Sequence, residues 1–578
     1  MPSTAPTLRR PAAGLPPALS PALPRWHRPL AAALAVLMLL PALPNPALAQ
    51  VRLPSLGESA SLDLSVGAER RLGEQIMREA RRDPAYLDDP VLLEYVQGIW
   101  NPLVLAAREV GQIDGDTDTA FAWETFLVRD RSVNAFALPG GFVGAHLGLI
   151  AITTTRDQLA SVMAHELSHV TQRHIARSIA PQQQASLLAV ATLLLGIIAA
   201  SRSGNVDLAN AAIMGGQGAA VQAQLNFSRD MEREADRIGY GLLNRAGFAP
   251  AGQAQMFDRM DAATRLSDNG GFPYLRSHPL TIDRISEARS RTLLGDNQPS
   301  LPTVHHALMQ MRARVLMDDS VTGLQRLNGN TSSPAAADRI AALYGGAMAA
   351  SLLKDHARAE RQVALALQLA AGLSPREPAA ERALRLLQAQ VLINAGDAPG
   401  ALQVLDIATA PAGSLAAPAT AAPSTAASAL NALNAREAQR PPLLLRAQAA
   451  LTLHRSDPAA AAGPLRASTE SLQTWVAEQK MDAAAWLLLS QTSEAQGLKL
   501  RAMRAGAEAR AVVGDLSGAI DRLRAAQAMS RQPGNADFIE ASIIDARLRQ
   551  VSNQRRVLAA ELRGEEPPPG EGPRAQEP

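Results

Sequence analysis

The five residues His165-Glu166-Leu167-Ser168-His169 combine the side chains that build a hydrolytic zinc site. On an α-helix, residues four positions apart share one face, so the two imidazoles can bind the same metal ion. Glu166 then faces the open side of that ion, where a carboxylate can take a proton from a water molecule. Zinc lowers the pKa of such a water and polarises a peptide carbonyl, so the pattern indicates peptide hydrolysis.

A third protein ligand has to come from elsewhere, because a catalytic zinc uses three and leaves a fourth position open. The best source is the segment MEREAD from Met231 to Asp236. Glu232 and Asp236 lie four apart and share a helix face, so we predict that Glu232 binds the metal. Asp236 would accept the N–H of a ligand imidazole and fix its tautomer. Ala235 would let this helix approach the motif helix closely. The alternative is an ordinary solvated helix start.

The remaining histidines are weaker candidates. His174 lies nine residues after His165, so we expect it on the opposite face of the same helix, at the protein surface. His146, His305 and His306 have no partners at ligand spacing.

Local signals predict helices for both metal-binding segments. Thr155 and Gln158 form a capping box at the start of the motif helix. Five apolar residues at helical spacing supply its buried face: Leu159, Val162, Met163, Leu167 and Val170. The second helix is expected from Arg229 to about Asn244, with Ser228 as its cap and Gly247 at its end.

Alternating residues before the motif predict a small antiparallel sheet. The candidate strands are 124–130, 133–138 and 142–150, with a tight turn at Pro139-Gly140-Gly141 between the last two. Residues from about Leu62 to Arg108 show apolar positions at helical spacing and precede this sheet.

The N-terminus resembles a secretory signal peptide. An apolar run from Leu30 to Leu43 follows an arginine-bearing lead and ends before Ala47-Leu48-Ala49. An uncleaved membrane anchor is the alternative. The chain has 0 cysteines, which excludes a lipoprotein anchor, disulfides and thiolate metal ligands. An exported chain without disulfides fits a bacterial periplasm.

Length and charge constrain the rest of the chain. With 578 residues, two or more domains are expected, and a net charge of +2 argues against nucleic acid as the main partner. A second apolar run, Leu187 to Ala200, is too short to span a bilayer. It is either a buried helix or a hairpin that contacts a membrane surface peripherally.

Beyond about residue 300 the chain becomes a series of Ala/Leu-rich helices with a recurring signature. An aspartate follows one helix, where it can cap the next, and an alanine four residues later lets the two helices pack. The four pairs are Asp355/Ala359, Asp397/Ala401, Asp457/Ala461 and Asp515/Ala519. This resembles tetratricopeptide repeats, although the pairs recur less regularly than the usual period of about 34 residues.

Four motifs in order resemble the zinc metallopeptidases of the CAAX prenyl protease and HtpX type. They are NAFALPGG (134–141), HELSH (165–169), EREAD (232–236) and SHP (277–279) followed by Arg284. The resemblance implies a mainly α-helical, zincin-like (gluzincin) metallopeptidase fold with a small antiparallel β-sheet. An α-helical tetratricopeptide-like repeat domain follows it, and the signal peptide and repeats point to the family's periplasmic branch.

The resemblance also implies roles for individual residues. His165, His169 and Glu232 match the ligands of one Zn²⁺ per chain, and Glu166 matches the general base. Asp236 matches an acid described in the family as a proton donor, although we favour its contact with a ligand imidazole. His278 and Arg284 match residues near the oxyanion. A second hypothesis for His278 is that it binds the zinc in a resting state and displaces water.

The resulting prediction is a periplasmic zinc endopeptidase. By resemblance, it hydrolyses outer-membrane proteins that are unfolded or misassembled, and its repeats dock on the β-barrel assembly machinery. A chaperone or adaptor with latent proteolysis is the alternative, and a peptidoglycan hydrolase is a weaker one. We expect a signal peptide (1–49), a metallopeptidase domain (50–300), a repeat domain (301–563, linker about 410–437) and a disordered tail (564–578).

Overall fold

The computed structural model describes residues 64–179, 229–266, 272–294, 299–330, 332–409, 425–532 and 537–562. Five predicted features lie outside these residues: the signal peptide, the apolar run 187–200, the cap at 228, the first half of the linker and the tail. Among the described helices, none combines the length and apolar character needed to cross a bilayer.

Helices and a small sheet alternate in the N-terminal part. Ser65 caps α1 and Asp89 caps α2, each by accepting a hydrogen bond from a backbone N–H three residues later. The elements are α1 (Val66–Ala80), β1 (Tyr86–Leu87), α2 (Pro90–Glu109), α3 (Gly115–Ala120), β2 (Glu124–Val128), β3 (Ala135–Leu138) and β4 (Phe142–His146).

The fold class, mainly α with one small sheet, is confirmed, but the sheet is mixed rather than antiparallel throughout. Its strand order is β1-β2-β4-β3, with β2 parallel to β4 and β3 antiparallel to β4. All five residues of β4, which lies between β2 and β3, are buried, whereas the middle of the edge strand β3 is half-buried. Gly140 and Gly141, both at positive φ, form the β3–β4 turn.

The expected third strand is also shorter than predicted. It ends at His146, and the residues that follow form α4 (Leu147–Ile152). The N–H of Gly148 donates to the carbonyl of Asp130 (2.9 Å), which turns the chain away from the sheet.

The helices around the motif follow in sequence. Thr155 caps the motif helix as predicted, and Gln158 accepts a hydrogen bond from the N–H of Thr154 rather than that of Thr155. All five predicted apolar positions are buried. The helices are α5 (Arg156–Thr171), α6 (His174–Ile179), α7 (Arg229–Arg245), α8 (Ala251–Leu266), α9 (Tyr274–Ser277) and α10 (Ile282–Leu294).

The C-terminal half is entirely helical in its described residues. Helix α17 occupies the second half of the expected linker. The helices are α11 (Val304–Met317), α12 (Val321–Arg326), α13 (Ala336–Leu352), α14 (His356–Ala371), α15 (Pro378–Ala395), α16 (Ala398–Thr409), α17 (Thr425–Glu437), α18 (Arg440–Ser456), α19 (Pro458–Glu478), α20 (Ala483–Ala495), α21 (Lys499–Val512), α22 (Leu516–Ser530) and α23 (Phe538–Leu562).

The Asp/Ala signature works locally as predicted. Each aspartate accepts a hydrogen bond from the backbone N–H three residues later, at the start of α14, α16, α19 and α22. Each alanine is fully buried. The small side chains therefore let each of these helices pack on the one before it.

The C-terminal helices pack directly on the N-terminal part. Helices α11, α17 and α18 contact α2, and one hydrophobic core runs from α2 through α5 to α18. Arg312 of α11 binds both carboxylate oxygens of Asp89 (2.6 and 2.7 Å) and the hydroxyl of Tyr344 (3.0 Å). Arg440 of α18 binds the neighbouring Asp88 and also Asp482. Consecutive aspartates are thus fixed by two different helices.

We predict that Arg312→Leu lowers the free energy of unfolding by about 3–5 kcal/mol, because it leaves the buried Asp89 carboxylate without its partner. Urea unfolding of the full chain measures the change. The matched control is Arg129→Leu, which breaks the exposed pair with Asp319 and should cost less than about 1 kcal/mol. Equal losses in the two variants would contradict the prediction.

Candidate metal centre

Two helices bring the predicted ligands together. Helix α5 carries His165 and His169 on one face, and α7 presents Glu232 to them. Their side chains are almost completely buried, with exposed fractions between 0% and 3%. A fourth side chain, His278, enters from the C-terminal end of the one-turn helix α9. Among the described residues, these four form the cluster that could hold a metal ion, with candidate ligand atoms within 4.8 Å of one another.

Small residues make the approach of α7 to α5 possible. Ala235 is fully buried, as expected, and Gly239 lies one turn further along α7. A Cβ atom at Gly239 would lie 3.3 Å from the backbone of Ala164 and from the N of His165, tighter than ordinary packing. Sequence reasoning missed Gly239, although a small residue four positions after Ala235 is the signal that could have found it.

The distances between ligand atoms match those around a tetrahedral metal ion. His165 Nε2 lies 3.0 Å from His169 Nε2, 3.3 Å from His278 Nδ1 and 3.4 Å from Glu232 Oε2. Glu232 Oε1 lies 3.4 Å from His169 Nε2 and 2.9 Å from His278 Nδ1. Ligands bonded to tetrahedral zinc at about 2.0–2.1 Å are about 3.3 Å apart. Three nitrogens and a carboxylate are a donor set that zinc accepts, so the residues fit this ion.

Glu166 lies beside this cluster, and its carboxylate makes no hydrogen bond. The side chain is fully buried, and neither oxygen has a hydrogen-bond partner. Its Oε1 lies 3.5 Å from His278 Nε2. Burying a carboxylate without hydrogen bonds is costly, and the role of general base predicted for Glu166 would account for it.

Asp236 and Arg284 contact the ligand candidates His165 and Glu232. Asp236 Oδ1 lies 3.0 Å from His165 Nδ1, as predicted for a carboxylate that orients a ligand imidazole. The guanidinium of Arg284 donates to both oxygens of Asp236 (2.6 and 2.9 Å) and to the carbonyl of Pro279, and pairs with Glu232 at 2.8 Å. Arg284 is therefore engaged with two carboxylates and a backbone carbonyl, and its place near an oxyanion stays a prediction.

Residues 108–292, which include this centre, match the sequence profile described as Peptidase family M48. This segment is a peptidase family M48 domain. Peptidases of family M48 depend on zinc, in agreement with the donor set of this segment.

Three curated relatives match between 39% and 55% of this chain. The β-barrel assembly-enhancing protease of Escherichia coli K12 is 36% identical over 239 residues, which is 41% of this chain and 47% of that protein. Its namesake from Yersinia pestis is 32% identical over 331 residues, or 55% and 64%. The mitochondrial metalloendopeptidase OMA1 of Schizosaccharomyces pombe is 30% identical over 225 residues, or 39% and 60%. The chain thus spans about half to two thirds of the length of these relatives.

Electrostatics in the M48 site favour a cation between the ligands. Burial opposes a charge on His165, but the Glu232 carboxylate, with Asp236, outweighs it and raises the pKa of His165 to about 10. Burial also opposes ionisation of Glu232, yet the imidazoles of His278 and His165 hold the pKa of this carboxyl far below its usual range. Burial dominates at His169 and lowers its pKa well below the ordinary value. The M48 site therefore stabilises positive charge beside Glu232 and keeps His169 neutral. A metal ion bound by His165 would take the place of the proton that this ring otherwise holds.

The prediction for His174 is wrong. Helix α5 ends at Thr171, and Arg173 at a φ of +50° redirects the chain into α6, so His174 does not continue the face count of the motif helix. Its side chain is fully buried, and its Nδ1 lies 2.8 Å from Nδ1 of the ligand candidate His169. Burial lowers the pKa of His174, so the ring is neutral near pH 7.

The other three histidines lie outside the M48 metal cluster, as expected. His146 contacts Ser132 Oγ at 2.9 Å, and His306 contacts the Tyr95 hydroxyl at 2.6 Å. His305 packs edge-on against the ring of Tyr95.

We predict that the protein binds one zinc ion per chain and that Glu232→Ala weakens this binding by more than about 100-fold, the upper end of effects at supporting residues. Competition with a chromophoric chelator measures it. Asp230→Ala is the matched control, because this carboxylate lies in the same helical turn but is 93% exposed. Equal zinc affinity in the two variants would exclude Glu232 as a ligand.

Proposed function

We propose that the chain is a zinc-dependent endopeptidase that hydrolyses misassembled outer-membrane proteins in the periplasm. The observation that carries this proposal is the buried cluster of His165, His169 and Glu232 with Glu166 beside it. The names of the Escherichia coli and Yersinia pestis relatives support a role in β-barrel assembly. Signal-peptide-like residues at the N-terminus and the lack of cysteines support an exported protein.

The chemistry is divided between the ion and the chain. Zinc bound by His165, His169 and Glu232 would supply a Lewis acid that lowers the pKa of water and polarises the scissile carbonyl. Glu166 takes the proton of the attacking water and delivers it to the leaving amine. Asp236 fixes the tautomer of His165, and Arg284 fixes Asp236.

The edge strand β3 offers a binding place for the substrate backbone. Within the described residues β3 pairs with β4 on one side, and it contacts the motif helix α5. An extended peptide can add to such an edge through main-chain hydrogen bonds, which give affinity with little dependence on side chains. Unfolded segments would therefore be preferred over folded ones.

The C-terminal helices are proposed to dock the enzyme on the β-barrel assembly machinery as tetratricopeptide-like repeats. The capping aspartates and the buried alanines between successive helices support a repeat architecture, which commonly presents a concave binding surface. The curated relatives match only part of this chain. Binding to the β-barrel assembly machinery is therefore our proposal for this protein.

A second candidate function is a chaperone or adaptor with latent proteolysis. The position of His278 favours latency, because its Nδ1 lies 3.3 Å from His165 Nε2 and 2.9 Å from Glu232 Oε1. From there it would bind zinc as a fourth protein ligand in place of water. The Tyr274 ring stacks on His278 with 4.7 Å between ring centroids, which supports this placement. We propose that this is a resting state of the same enzyme.

We predict that Glu166→Gln in the full chain retains zinc and lowers the cleavage rate of an unfolded substrate by about 10²–10⁴-fold, because the amide cannot accept the proton. Cleavage of denatured outer-membrane protein and zinc content are measured together. Turnover by the metal-loaded variant would refute the assignment of Glu166 as general base.

If this variant still relieves cell-envelope stress in cells, the chaperone function is favoured instead. A deletion of the residues after 300 is less informative than this substitution, because α11 and α18 pack on α2 of the N-terminal part.

We predict that His278→Ala retains zinc through the three remaining ligands and raises the basal rate of peptide cleavage, since the fourth position is opened to water. The rate of cleavage of a short fluorogenic peptide tests this. Loss of cleavage with zinc still bound would show that His278 acts in the reaction rather than in its suppression.

A further inference from the structure

The two ligand histidines of α5 are supported in different ways. His165 Nδ1 meets a carboxylate directly, since Asp236 Oδ1 lies 3.0 Å away. His169 Nδ1 instead meets another imidazole, that of His174, at 2.8 Å. No role follows for His174 from the H-E-x-x-H pattern, so this contact needs its own explanation.

The contact continues to an acidic residue on α7. His174 Nε2 lies 3.1 Å from Glu234 Oε2, and Arg177 Nη1 lies 3.2 Å from the same oxygen. His174 is fully buried, whereas about a third of the Glu234 side chain is exposed. A line of hydrogen-bonding groups therefore runs from the metal cluster to the protein surface through His169, His174 and Glu234.

When His169 binds a metal, only one placement of the ring protons gives every contact in this line one donor and one acceptor. The Nε2 atom of a ligating imidazole carries no proton, so His169 must carry its proton on Nδ1. That N–H donates to His174 Nδ1, which must then be unprotonated. The proton of His174 is left on Nε2, from which it donates to Glu234. In the other tautomer of His174, two N–H groups would face each other across 2.8 Å.

We propose that His174 and Glu234 are positioning residues, which hold the imidazole of His169 in the tautomer and orientation that bind the metal. This inference rests on the proposed function, in which His169 is a zinc ligand. Glu234 acts through His174 by accepting its Nε2 proton, and Arg177 holds the Glu234 oxygen in place. His174 and Glu234 are not members of the candidate metal cluster, so both act through His169.

A purely structural role for His174 makes a different prediction. If the ring only fills space, the flat ring of phenylalanine should replace it better than the small side chain of asparagine. If it orients His169, asparagine should be the better substitute, because its side-chain oxygen can take the place of Nδ1 as a hydrogen-bond acceptor. The two substitutions therefore separate packing from positioning.

The experiment measures the zinc dissociation constants of full-length His174→Asn and His174→Phe by competition with a chromophoric chelator. We expect His174→Phe to bind zinc about 10- to 100-fold more weakly than the wild type, as for other residues that orient metal ligands. His174→Asn should recover most of this loss. Thermal unfolding of the metal-free proteins checks that both fold. An unchanged affinity in His174→Phe, or an equal loss in both variants, would overturn the proposal.

Glu234→Ala provides a second test that leaves the core unchanged. We expect a loss of about 10-fold in zinc affinity, at the lower end of the same range because water can replace a partly exposed carboxylate. Asp230→Ala is the control and should bind zinc like the wild type. If the wild type binds no zinc, the proposed function itself fails. If the wild type binds zinc and Glu234→Ala matches it, only the present inference fails.

Discussion

Two carboxylates on one face of α7, those of Glu232 and Asp236, are almost excluded from water, and this burial sets the conditions for the whole site. An unpaired buried carboxylate costs many kcal/mol, so cationic partners must be present. Arg284 satisfies both groups from one side, and the imidazoles of α5 face them from the other. The neighbouring helices therefore have to place such partners beside the two carboxylates. Helix α7 must lie close to α5, and α10 must begin where Arg284, in its first turn, can reach Glu232 and Asp236.

The parts of this site that depend on local periodicity could be predicted from the sequence. The shared face of His165 and His169, and that of Glu232 and Asp236, follow from the geometry of one helix. The parts that depend on where a helix stops could not. No residue near Thr171 signals a helix end, and Arg173 adopts its left-handed conformation while it pairs with Glu69, a residue 104 positions away. Counting residues along one helix therefore predicts the wrong environment for His174, which is fully buried.

The sheet illustrates the same limit. Alternation identified the segments that contain β2, β3 and β4, but the order of the strands depends on which one the core covers on both faces. The ion pairs between α2 and the C-terminal helices are likewise invisible in the sequence, because Asp88 and Asp89 find their arginines more than 200 positions away. The aspartates that cap the C-terminal helices were predictable, since their hydrogen bonds span only three residues.

His278 differs from the other ligand candidates in how the chain holds it. His165, His169 and Glu232 belong to helices of 16 and 17 residues, whereas His278 follows a helix of four. Withdrawing it would disturb a single turn and leave the other three ligands in place. Such an enzyme would carry its inhibitor within its own chain, and release would be reversible, unlike the removal of a propeptide.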